Sequence, residues 1–140
     1  MTTAVEVVDQ TQARLVALCP KILILRGEVP KELPHDQSGN VFPYAVLWEG
    51  PGMGDEDAED LSGDNDGASI LDQYVTVASG KAEWTGPAAA QVRRALDHWQ
   101  PNGNVERLRD NQTWAPVQLD TEVLPNRHYV ALVFRSAYKE

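Results

Sequence analysis

The run "HYVALVF", from His128 to Phe134, limits the fold more than any other stretch of this chain, because only its first residue is strongly polar. In a strand, successive side chains point to opposite faces, so such a run puts apolar groups on both. That pattern belongs to a central strand, or to one whose second face is buried by a partner. Just before it, "PVQLDTEV" alternates Val117, Leu119, Thr121 and Val123 with Gln118, Asp120 and Glu122. This alternation predicts an antiparallel strand with one dry and one wet face, and "LPNR" turns the chain between the two.

A dry sheet face needs a cover, and "TGPAAAQVRRALDHW" supplies one. Ala88, Val92, Ala95, Leu96 and Trp99 form a single helical stripe, with Gln91, Arg93, Arg94 and Asp97 facing away. Thr85 is the expected cap, Pro87 is tolerated in the first turn, and Pro101 with Gly103 ends the helix. A second helix is expected from about Thr3 to Leu18, its apolar side made by Val5, Val8, Leu15, Val16 and Cys19, with Pro20 as the stop. "KILILRGEVP", "FPYAVLWEG" and "SILDQYVTVAS" read as strands, separated by the turn-rich "KELPHDQSGN" and by an acidic loop at about 51–68. The order α-β-β-β-α-β-β predicts one α+β domain over residues 1–140, a mostly antiparallel sheet of about four to five strands with two helices packed on it. Pairing order is not encoded in these patterns.

The acidic loop holds Asp55, Glu56, Asp57, Glu59, Asp60, Asp64 and Asp66 with no Lys or Arg among them. The net charge is −9, yet removing those seven from the 21 acids leaves 14 against 12 bases, so the acidity is local. The bases are scattered, which argues against a nucleic-acid-binding face. One cysteine, Cys19, excludes an internal disulfide and a cysteine zinc cage, and its apolar surroundings predict a buried, inert thiol. No apolar stretch approaches the ~20 residues of a membrane span, and no secretory leader is recognisable.

The acidic loop fails as a calcium hand. With Gly67 as loop position 6, Asp64 and Asp66 fall at positions 3 and 5, but Ser62 occupies position 1 and Gln73 position 12. It also lacks apolar residues to desolvate a catalytic carboxylate, apart from Met53, Ala58 and Leu61. "GPGMG" is followed by acids and not by the Lys of a phosphate loop. His35, His98 and His128 stand in no metal-ligand spacing, and no nucleophile elbow occurs. Trp99 is read as core, whereas Trp84 and Trp114 flank turns, where aromatic anchors mark either a protein contact or packing under a loop. What remains is an interaction or structural domain with more apolar strand surface than two helices cover.

The succession of motifs adds a family. "RGEVPKELPHDQSGNVFPYAVLWEGPG" is followed by "YVTVASG", an Ala-rich helix with "VRRAL", and "PVQLDTEVLPNRHYVALVFR". This order resembles the tail terminator proteins of long-tailed bacteriophages. Val29–Pro30, Pro43 to Val46, Thr76 to Gly80, and Pro125, Arg127 and Tyr129 carry the resemblance. It implies an α+β subunit of a ring, usually a homohexamer, that caps the tail tube, stops tube polymerisation and meets the head–tail connector or head-completion protein. The subunit would be a virion component of the neck, assembled in the bacterial cytoplasm, with no catalysis, no cofactor and no bound metal. DNA would pass through the ring without specific binding. Ring contacts are expected at Tyr44, Trp48, Trp84, Trp114, Arg127 and Tyr129, and the acidic loop is assigned to the lumen or to partner docking. The competing readings are a neighbouring neck protein, namely a connector or head-closure protein, a small calcium- or ligand-binding module, and a hydrolase.

Overall fold

Thr3 opens the first helix by accepting the Glu6 amide on its hydroxyl at 3.2 Å, which satisfies one of the free donors of the first turn. The computed structural model describes residues 3–48, 68–103, 105–110, 116–123 and 125–139. Helix α1 spans Ala4–Leu18 and buries Val7, Val8, Thr11 and Leu15. The expected stripe is therefore corrected: Val5 and Val16 are 61% and 57% exposed. At 100° per residue they lie roughly 100° or more round the helix from the centre of the buried set. Thr11 fits the dry side because its hydroxyl donates to the Val7 carbonyl at 2.9 Å.

Strands β1 (Leu23–Arg26), β2 (Tyr44–Trp48) and β3 (Ala68–Ser79) precede helix α2 (Ala82–Leu96), and β4 (Arg109–Asp110), β5 (Gln118–Asp120) and β6 (Arg127–Lys139) follow it. Among the described residues they form one six-stranded sheet in the order β1-β2-β3-β6-β4, with β5 also on β6. Every pairing is antiparallel except β1 with β2. The α+β class and the two helices are as expected; the strand count is six, because two residues of β4 suffice to pair with β6 and leave no periodic signal. β6 is the central strand that its composition demands, paired with β3 from Ser79↔His128 to Ala68↔Lys139 and flanked on its other side by β4 and β5.

Both helices lie on one face of this sheet. Ala45 and Leu47 of β2, Leu71, Val75 and Val77 of β3, and Val130, Leu132 and Phe134 of β6 meet Val7, Leu15, Val92 and Leu96 there in the main core. Helix α2 starts earlier than its sequence suggests. Lys81 takes the cap position without a side-chain hydrogen bond, and Pro87 sits inside the helix. Thr85 is buried in the helix, its Oγ1 2.7 Å from Ser79 Oγ, 3.0 Å from the His128 carbonyl and 3.2 Å from the Lys81 carbonyl. That hydroxyl ties the helix to β3 and β6, and does not cap it. Trp99 lies past the helix end, packs at the core margin and carries the Arg14 guanidinium 5.1 Å from its ring centre.

The strand expected over "PVQLDTEV" is also corrected. Only Gln118–Asp120 pair with β6, and Val117, Leu119 and Val123 are exposed, Leu119 by 52%. The alternation is real, but its apolar side is not dry, although α2 touches β6 at His128, the partner of Leu119.

Among the described residues the other sheet face is covered only in part, by the crossover of residues 27–43 that joins the parallel β1 and β2. Leu33 and Val41 of this strap pack on Tyr44, Val46 and Ala78, forming a second, smaller core. Its tip closes through Asp36, which accepts the amides of Ser38 and Asn40 at 2.9 and 2.8 Å, with Gly39 at φ 86°. These amides, Asn40 foremost, hold the Asp36 carboxyl below its ordinary range. The strap is fastened at its far end by the Gly80 amide, which donates to the Val41 carbonyl at 2.8 Å.

Candidate interaction surface

The helix-free face is built by register. Tyr44, Ala78 and Tyr129 stand side by side across β2, β3 and β6, as do Val46, Thr76 and Ala131, and then Trp48, Tyr74 and Val133. The strap covers the first of these rows and leaves an open groove of about 520 Å³ beside it. Tyr44, Val46 and Trp48 of β2, with Thr76 and Ala78 of β3, make its floor. Val29, Pro30 and Lys31 of the strap form one wall. On the far side stand Asp120, Val123, Arg127 and Tyr129.

Two of the polar groups here are satisfied internally. The Trp48 indole donates to Thr76 Oγ1 at 2.9 Å, and the Tyr129 hydroxyl donates to Gln118 Oε1 at 2.9 Å. Arg127 differs. Only 6% exposed, it donates from Nη1 to the Pro125 carbonyl, while its Nε has no acceptor among the described residues. Asp120 faces Arg127 in the β5–β6 register, yet no ion pair joins them, and Asp120 Oδ1 accepts the Glu122 amide at 3.0 Å. A buried guanidinium with an unmatched N–H is uncommon in a folded protein.

Four of the six expected contact residues, Tyr44, Trp48, Arg127 and Tyr129, therefore meet around one groove. Trp84 does not join them. It stacks on Phe42 with ring centres 5.8 Å apart and an interplanar angle of 25°, under the Lys81 ammonium at 4.7 Å. It braces the end of the strap against α2. Trp114 and all seven residues of the acidic run, Asp55 to Asp66, lie outside the described residues. Sequence reasoning missed the strap as a wall: "KILILRGEVP" reads as strand and "KELPHDQSGN" as a turn-rich loop, and the signals were Val29–Pro30 and Leu33–Pro34, apolar residues among polar ones.

The histidines stand apart. His35 Nδ1 lies 3.1 Å from the Leu33 carbonyl in the strap, His98 adopts φ 65° after α2, and His128 follows Arg127 at the start of β6. No group of three or more His, Cys, Asp or Glu side chains positioned for a metal occurs among the described residues. Cys19 is buried, and burial pushes its thiol up, opposed only in part by Arg94. No described helix is long and apolar enough to cross a membrane. Neither protein-family models nor curated proteins match this sequence.

Proposed function

We propose that this chain is a structural subunit of the tail terminator type, which associates with its own copies in a ring and closes a phage tail tube beneath the head–tail connector. The observation that supports the reading is the one-sided sheet. Both helices cover one face, while the other leaves Trp48 and Tyr74 exposed, and Leu119 stands uncovered on the β5 flank. Surface of this kind is the usual raw material of a subunit contact. The motif order from Val29–Pro30 to Tyr129 adds the family, and the cluster of Tyr44, Trp48, Arg127 and Tyr129 adds a place for the contact.

The acidic run enters through its charge alone. Repeated around a ring axis, seven carboxylates per subunit make a strongly negative opening that repels phosphate and lets DNA pass without sticking. Replacing the seven acids with Ser or Asn tests that role, and unaltered DNA ejection refutes it. The test of the reading itself is electron microscopy of the purified protein, together with particles assembled without it. A ring with a central hole and tails of uncontrolled length are expected. A chain that remains monomeric by light scattering, alone and with tube protein, refutes it, while tails of normal length without heads point to a neighbouring neck protein.

A further inference from the structure

The groove on the helix-free face has a chemistry of its own. Its floor is apolar and aromatic, and its charged members are Lys31, Asp120 and Arg127, which leave one positive charge unbalanced. Nη1 of Arg127 is held by the Pro125 carbonyl, while Nε, buried and without an acceptor among the described residues, belongs to the other edge of the guanidinium, that of Nε and Nη2. That edge matches the two oxygens of a carboxylate. Arg127 lines the groove, and a carboxylate there reaches that edge only once the buried Nε is uncovered. Asp120 does not fill the role, being engaged with the Glu122 amide and making no ion pair with Arg127.

The span of the groove indicates the kind of molecule that carries the carboxylate. From Trp48 on β2 to Asp120 on β5 it crosses β2, β3, β6 and β5. Neighbouring strands about 4.8 Å apart give roughly 14 Å across, and the row of Trp48 and Val133 lies six residues along β6 from Arg127, which faces Asp120, so the diagonal is roughly 25 Å, the length of about seven extended residues. A compact small acid seated at Arg127 leaves the Trp48 end empty, whereas an extended peptide fills both.

We propose that this groove docks an extended segment of a partner protein, about seven residues long, in which one Asp or Glu flanked by apolar side chains meets Arg127. This deepens the reading of the helix-free face as a contact surface and does not require that the contact close a ring.

The full chain is to be tested by equilibrium dialysis against a pool of blocked seven-residue peptides, each with one Glu second from either end among Leu, Val, Ile or Phe. A matched pool carries Gln in place of that Glu, and hexanoate serves as a free acid. The Glu pool should bind at least about tenfold more tightly than the Gln pool, as expected for a charge-assisted hydrogen bond, and should shift the NMR signals of Arg127 Nε–H and Trp48 Nε1–H together. Arg127→Gln should abolish the preference for Glu. Because that residue is buried, Val29→Asp on the exposed strap provides a second variant that leaves the guanidinium in place and should weaken the Glu pool more than the Gln pool. Equal binding of both pools, no shift at Arg127, or hexanoate binding as tightly as the peptides overturns the proposal. Light scattering on the same samples separates the two readings: a monomer that binds the Glu pool sinks the ring alone, and a ring that ignores it sinks the docking site alone.

Discussion

Replacing Gly80 with Ala tests how the strap is seated. Gly80 does not adopt the left-handed backbone that makes glycine necessary at Gly27, Gly39 and Gly103, so the residue is small for reasons of space. A Cβ added there would lie 2.7 Å from the Val41 nitrogen, 2.9 Å from Asn40 Cα and 3.1 Å from the Asn40 carbonyl carbon, all of them backbone. Ordinary contact begins near 3.4 Å, so the strap must retreat by about 0.7 Å. The same movement stretches the 2.8 Å hydrogen bond from the Gly80 amide to Val41 to the limit of its range. Overpacking costs about 1–3 kcal/mol, the weakened bond about 0.5–1.5, and the stiffer unfolded chain returns about 0.4–1. A net loss of about 1–3 kcal/mol lowers the melting temperature of a chain of this size by about 3–10 °C. Calorimetry reads the shift, and hydrogen exchange at Val41 and Gly80 should quicken beyond that of β6. A variant with unchanged or higher stability refutes the close approach, and with it the account of how this wall of the groove is held.

Thr85→Val keeps the shape of a buried side chain but removes the hydroxyl that bridges α2, β3 and β6; urea unfolding should show a loss of about 1–3 kcal/mol. Asp36 should titrate below 3.8 by NMR, because the amides of Asn40 and Ser38 favour its charged form. Its contribution to stability is therefore present above the unfolded carboxyl value and lost as pH falls through the lower folded value, and Asp36→Asn should flatten that acid limb. Cys19, buried and with its thiol pushed up, should react with a disulfide reagent only as fast as the protein opens, quickening with added urea.

The parts of the fold legible in the sequence are those where period and burial agree. The stripe Ala88, Val92, Ala95 and Leu96 needs only a helix on an apolar surface, and all four are buried. The run from Tyr129 to Phe134 needs only two flanking strands, and β6 has them. Errors arose where a distant partner decides. Thr85 resembles a cap locally, but its hydroxyl is claimed by His128, far along the chain. Leu119 alternates correctly, yet burial depends on what covers it. The site was half legible for the same reason: aromatic and arginine residues stand out as anchors, but that Tyr44, Trp48, Arg127 and Tyr129 share one groove follows from strand order and register. A turn-rich segment gives no sign that it will lie across a sheet.

The long strand β6 makes a dense ladder with β3 and also supplies the only described sheet partner of β4 and β5. The sheet thus has a single spine, and removing it strips three neighbours at once, leaving β1, β2 and β3 as a three-stranded remnant in which β3 keeps only its pairing with β2. An unfoldase or a mechanical load that draws on residues 127–139 meets the cooperative resistance of most of the sheet in one step. One that draws on β1 first frays a margin, so the same molecule is brittle or yielding according to which strand bears the force.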